Sequence, residues 1–121
     1  MRDYPWGNTI PTGKHCVMEG SIKTENVGTH IQGKGPYGTM DQAGNVWEWT
    51  SSKFWQYPYI KDDGRENLDQ YNQDDTIAIR GGRWGHPADR LTTHYRGDSP
   101  IYGCDCCVGF RIVFDSECTY L

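Results

Sequence analysis

Asp41 and Glu48 are the only carboxylates in residues 37–49, which read Tyr-Gly-Thr-Met-Asp-Gln-Ala-Gly-Asn-Val-Trp-Glu-Trp. A carboxylate set among indoles must be ion-paired, hydrogen-bonded or metal-bound, because an unpaired charge in apolar surroundings is costly. Arg80 and Arg111 are the cations expected to neutralise the pair. A second chemical cluster is Cys104, Asp105, Cys106 and Cys107, with His86 and His94 upstream. Thiolates and imidazoles are zinc ligands. Their spacing is not that of a Cys-x-x-Cys pair, so zinc is not the expectation here. A third set, Asp62, Asp63, Asp74 and Asp75, lies in the polar residues 61–75. It lacks the Asp-x-Asp-x-Asp-Gly spacing of a calcium loop, so a solvated surface loop is expected.

These groups need a frame. Val46 to Trp49 alternate as in a strand, which puts both indoles on one face. Gly38 and Gly44 permit backbone shapes that side chains resist. Thr76-Ile-Ala-Ile-Arg80 is the clearest strand, by alternation and β-branching. Residues 108–114 read as another, expected beside it in the same sheet. Gly81-Gly82 permits a sharp turn between 76–80 and Trp84. Tyr4-Pro5-Trp6-Gly7-Asn8 reads as an aromatic plug with a turn, and short strands are expected near 15–18 and 21–22. Phe54, Trp55, Tyr57 and Tyr59 are expected in the core, with a sugar-stacking platform as the alternative.

Composition bounds the rest. One domain spans 1–121. Leucine is scarce (Leu68, Leu91, Leu121), while five Trp and eight Tyr supply the apolar surface. Fifteen Gly, six Pro and a mean hydropathy of -0.79 leave little room for long helices. A loop-rich α+β or mostly β domain with a small antiparallel sheet follows. A net charge of -4 and a pI near 5.4 argue against a nucleic-acid partner. No apolar run suggests membrane insertion and none opens the chain as a signal peptide, so localisation is left between the cytoplasm and display on a virion or cell surface. Five cysteines weakly favour a reducing compartment, and a Cys16–Cys118 bond is left open.

Four motifs in order, Tyr4 to Asn8, Gly38 with Ala43-Gly44-Asn45-Val46-Trp47-Glu48-Trp49, Arg80-Gly81-Gly82 with Trp84, and Gly109-Phe110-Arg111, resemble the formylglycine-generating-enzyme (sulfatase-modifying factor) domain. The resemblance implies a compact C-type lectin-like fold matching the later half of a full-length family enzyme. It also implies a structural Ca2+ or Mg2+ on the side chains of Asp41 and Glu48 and the carbonyls of Gly44 and Val46, an all-oxygen set that suits calcium. The family's copper-dependent oxidase chemistry uses two cysteines, and the matching positions here are His86 and Leu91. Without thiolates there, the expectation is that this chain is not an enzyme.

Within that fold the chain most resembles the variable proteins of diversity-generating retroelements, which vary residues encoded by AAY codons. Such codons cannot become Lys, Gln, Glu, Met or Trp. Residues 85–108 contain none of these, whereas residues 1–84 contain 22. The segment also lacks a helical or strand period, and it mixes Tyr with small polar residues as antibody paratopes do. The resulting expectation is a hypervariable surface binding a protein or carbohydrate ligand on a target, with oligomerisation left open. Its contacts would be His86, Asp89, Arg90, Thr92, His94, Tyr95, Asp98, Tyr102 and Asp105. The scaffold would be Trp6, Trp47, Trp49, Trp84 and Phe110. The alternative is a metal-dependent oxidase or sulfatase-modifying-type enzyme with non-standard residues, its ion on His86, His94 and Cys104.

Overall fold

A computed structural model describes residues 1–103 and 105–113. Its frame is a four-stranded sheet of β1 (Trp47–Lys53), β2 (Thr76–Arg80), β3 (Gly97–Pro100) and β4 (Val108–Gly109), in the order β3-β2-β1-β4. The strand expected at 76–80 is β2. The sheet is mixed, which corrects the antiparallel expectation: β1–β2 and β2–β3 are antiparallel, while β4 runs parallel to β1. Residues 108–114 were expected beside 76–80, yet only Val108 and Gly109 pair, and they pair with Trp47 and Glu48. Phe110 is consequently 76% exposed and is not part of the scaffold. Residues 15–18 and 21–22 form turns and irregular backbone rather than strands. Helical structure among the described residues is three 3-10 turns, Ile31–Gly33, Leu68–Gln70 and Ala88–Leu91. No helix there is long and apolar enough to cross a membrane.

The strand register explains one glycine. Ile79 of β2 faces Gly97 of β3, and the Trp47 indole reaches from β1 towards the same place. A Cβ on Gly97 would lie 3.1 Å from Ile79 Cγ1 and 3.2 Å from Trp47 Cη2. Trp47 is thereby boxed in: Tyr95 stacks on it at 6.0 Å between ring centroids, and His86 meets it edge-on at 5.3 Å.

The organising stretch works through its backbone. Asn45 holds φ 64°, and its N–H donates to the Val17 carbonyl at 3.0 Å. Its side chain both accepts from Glu25 N–H at 3.0 Å and donates to the Glu25 carbonyl at 3.2 Å. Its carbonyl accepts from Trp84 N–H at 2.9 Å, and Gly44 N–H donates to the Gly81 carbonyl at 2.8 Å. Two residues therefore tie their own loop to those of Val17, Glu25 and Gly81–Trp84. Beside them, Tyr4, Cys16, Ala43 and Leu91 form a buried cluster that Trp6 and Met18 cover. Burial pushes the Cys16 thiol up to about 12, so it is inert at neutral pH. Cys118, and with it the question of a Cys16–Cys118 bond, lies outside the described residues.

The polar residues 61–75 are held more firmly than a solvated loop. Lys53 is buried, and its ammonium lies 3.0 Å from Asp75 and donates to the Gln70 carbonyl at 2.7 Å. Arg65, also buried, pairs with Asp63 at 2.6 Å. Trp55, Tyr57 and Tyr59, expected in the core, are instead exposed. Arg65 lies over Tyr59, and Arg96 lies over Phe54 and Tyr57, as cation–π partners. Cations on the ring faces let aromatic surface remain partly wet.

The Lys53–Asp75 pair sets a pH dependence. Hydrogen bonds from Asn72 N–H and then from Lys53 hold the Asp75 carboxyl below its ordinary value. A depressed folded-state value stabilises the fold above the unfolded value and is lost as pH falls through the folded one. Melting temperature should therefore fall on acidification below about pH 4, and Asp75→Asn should flatten that limb while lowering stability at neutral pH. An acid limb unchanged in Asp75→Asn would remove the pair from the account.

Candidate functional site

A cleft of about 390 Å³ opens beside the cluster around Leu91. Its walls come from Arg2, Tyr4 and Pro5, from Glu48 and Arg80 on adjacent strands, from Leu91 to Thr93, and from Arg111. Strand pairing sets Glu48 opposite Arg80. The N-terminal segment is pinned across the cleft: Thr93 N–H donates to the Asp3 carbonyl at 2.7 Å, and the Thr93 hydroxyl donates to the Arg2 carbonyl at 2.6 Å.

Three guanidiniums and one carboxylate face this space, and they are not equivalent. Arg111 Nε donates to Glu48 Oε2 at 2.5 Å, and its terminal nitrogens reach Glu48 Oε1 and the carbonyls of Met40 and Asp41. The Glu48 hydrogen bond, above all, raises the Arg111 pKa further. Among the described residues, Arg80 pairs with no carboxylate. It donates to the carbonyls of Thr93, His94 and Tyr95 and so clamps that segment to β2. Among the described residues, the Arg2 guanidinium makes one long contact, 3.5 Å, to the Pro5 carbonyl.

The predicted calcium ligands Asp41, Gly44, Val46 and Glu48 line one smaller cavity of about 280 Å³. Positive φ at Asp41 and Gly44 shapes the loop that supplies them. By donor chemistry the set fits a hard cation. The Arg111 guanidinium, bonded to Glu48 and to the Asp41 carbonyl, takes the cation's place in the described geometry. Asp41 Oδ2 meanwhile accepts from Gly28 N–H at 2.6 Å. Each carboxylate thus has a hydrogen-bond partner among the described residues, Gly28 N–H for Asp41 and Arg111 for Glu48.

The nine residues assigned to a variable binding face differ in their surroundings, and His86 among them is buried. His86 is 7% exposed, with Nδ1 accepting from Arg83 N–H at 3.3 Å. Burial first, then the cations Arg83 and Arg90, lower its pKa, so it is neutral at pH 7. Tyr95 packs on Trp47. Thr92 lines the large cleft, with His94 3.4 Å from its hydroxyl. Asp89 and Arg90 are exposed on the 3-10 turn, and Asp98 faces outward on β3 opposite Ala78. Tyr102 is exposed and meets Tyr71 edge-on at 6.2 Å, while Asp105 lies with Cys106 and Cys107. Leu91, in the middle of the segment, is 1% exposed. Neither histidine joins a ligand cluster among the described residues, and Cys104 lies outside them. Sequence reasoning overlooked Arg2 and Thr93 as cleft residues, because nothing local signals that the N-terminus pairs with residue 93.

This arrangement belongs to a known family. The model of the sulfatase-modifying factor enzyme 1-like domain matches residues 1–116, and the chain is a member of that family. It is 32% identical over 107 residues to hercynine oxygenase of Mycolicibacterium thermoresistibile, covering 83% of this chain and 24% of that protein. It is 28% identical over 116 residues to hercynine oxygenase of Mycobacterium tuberculosis, covering 94% and 27%. Formylglycine-generating enzyme of Mus musculus is 39% identical over 62 residues, covering 41% and 17%. The chain spans about a quarter of the length of the oxygenases it matches. These relatives overturn two expectations. The oxygenases and the formylglycine-generating enzyme carry enzyme names, which point to an enzyme family rather than to retroelement variable proteins or to a non-enzyme.

Proposed function

We propose that this chain is the sulfatase-modifying-type domain of a metal-dependent oxygenase, with the cleft of Arg2, Glu48, Arg80 and Arg111 receiving a small charged substrate. The observation that carries this reading is the likeness to hercynine oxygenase over more than four fifths of the chain. The side chains at His86 and Leu91 support it, since a thiol-based oxidase would need cysteines there, whereas an oxygenase with other ligands would not. A bound metal would supply oxygen activation. The described residues offer no histidine-based set to hold such an ion, so the reading assigns them binding and orientation. Arg2 offers guanidinium donors to a substrate carboxylate. Arg80 holds residues 93–95 as the opposite wall, and the Glu48–Arg111 pair keeps that side of the cleft polar. We read the fold as a compact α+β, C-type lectin-like variant of the family.

The test is oxygen uptake by the intact protein with iron(II), hercynine and a thiol co-substrate, then with copper and a cysteine peptide. Uptake in the first mixture, reduced about tenfold or more by Arg2→Ala, is expected. Uptake only in the second would return the chain to formylglycine chemistry, and uptake in neither would dismiss the oxygenase reading.

A second reading concerns structure. The oxygen donors of Asp41, Gly44, Val46 and Glu48 support a bound Ca2+ that displaces the Arg111 guanidinium from Glu48. Calcium should then raise the melting temperature and a chelator lower it, with a larger calcium response in Arg111→Ala. No heat of calcium binding in calorimetry, together with a chelator-independent melting temperature, rules the ion out.

A further inference from the structure

Cys106 and Cys107 take no part in the cleft, yet their geometry is specific. Their sulfurs lie 3.3 Å apart. The Asp105 carboxylate joins them in a group whose three ligand atoms all fall within 4.8 Å of one another. The turn that creates the group is anchored on both sides. Cys107 N–H donates to Asp105 Oδ1 at 2.9 Å, and the Cys107 carbonyl accepts from Trp47 N–H at 2.8 Å. Cys107 is buried, whereas Asp105 and Cys106 face solvent, which leaves an open approach.

We propose that Asp105, Cys106 and Cys107 form a surface site for a thiophilic divalent ion, zinc in chemical class, with a fourth position left to water. Two thiolates sharing a tetrahedral zinc sit about 3.8 Å apart, given Zn–S bonds of about 2.3 Å. The sulfurs need to open by only about half an ångström from the described separation. A disulfide is the poorer alternative: consecutive Cα atoms are about 3.8 Å apart, below the usual disulfide range of about 4.4–6.8 Å. The carboxylate supplies the third ligand through the oxygen its turn does not use. On binding, two S–H bonds break, two metal–sulfur bonds form and two protons pass to solvent, with no change of oxidation state. Burial, and then the hydrogen bond shared with Cys106, raise the Cys107 thiol above its ordinary value. Because the ion binds thiolates, affinity should climb as pH rises.

The site is independent of the oxygenase reading, and its test needs no turnover. The reduced, chelator-treated full chain is titrated with cobalt(II) alone. A thiolate-to-cobalt charge-transfer band with tetrahedral d–d intensity is expected, displaced by zinc, with two protons released per ion in weakly buffered solution. Cys106→Ser/Cys107→Ser should abolish the band, and Asp105→Asn should weaken cobalt affinity about tenfold or more. If the double variant misfolds by circular dichroism, Cys106→Ala at the exposed position replaces it and must lower affinity at least as much. No band, or one that survives these substitutions, overturns the proposal.

Discussion

Leu91→Ala is expected to cost about 2–5 kcal/mol, lowering the melting temperature by roughly 10–20 °C. Leu91 ends a 3-10 turn at the surface, yet its side chain is 1% exposed and packs with Tyr4, Cys16 and Ala43. The truncation removes three carbons from a core that is poor in aliphatic side chains. Relaxation is restricted, because Gly82 sits directly against this turn: a Cβ on Gly82 would stand 2.6 Å from Leu91 Cδ2 and 2.8 Å from the Arg90 carbonyl oxygen. The cavity term should therefore lie towards the upper end. Tyr102→Ala, at an exposed ring in the same segment, should change stability by no more than about 0.5 kcal/mol. Urea denaturation of the intact chain separates the two. Equal, small effects would mean that residues 85–108 form a detachable loop after all.

Gly44→Ala should be at least as damaging, losing roughly 3–5 kcal/mol. Gly44 holds φ +77°, and a Cβ there would stand 2.2 Å from the Val17 carbonyl oxygen and 3.1 Å from Cys16 Cβ. That carbonyl is the acceptor for Asn45 N–H, so it cannot retreat without breaking the stitch between the two loops. The left-handed conformation alone costs about 1–2 kcal/mol for a residue with a Cβ. Gly38→Ala isolates this term, since Gly38 has φ +82° with nothing within 4 Å of its Cβ position. Thermal melts should show Gly44→Ala falling well below Gly38→Ala. Matching losses would reduce the role of Gly44 to backbone strain.

Family membership was legible in the chain itself, because short motifs built on Gly, Asn, Trp and Arg act locally. Gly44-Asn45 takes up left-handed backbone, and Thr76–Arg80 carries the β-branched residues that strands favour. The error lay in residues 85–108. Lack of period and a skewed composition look the same for an exposed loop and for a segment that buries two or three isolated side chains. Nothing adjacent to Leu91 or His86 reports which of them faces inward.

By itself, then, the sequence determined the frame: the family, the position of β2, and a pair of carboxylates that need a cation. The tertiary structure alone decided that Arg111 rather than Arg80 meets Glu48, that Asp3 pairs with Thr93 across a cleft, and that β4 runs parallel to β1. Both groups of facts follow from range. Backbone preferences act over a few residues, whereas charge pairing and burial depend on residues 63 to 90 positions apart, whose meeting no local pattern encodes.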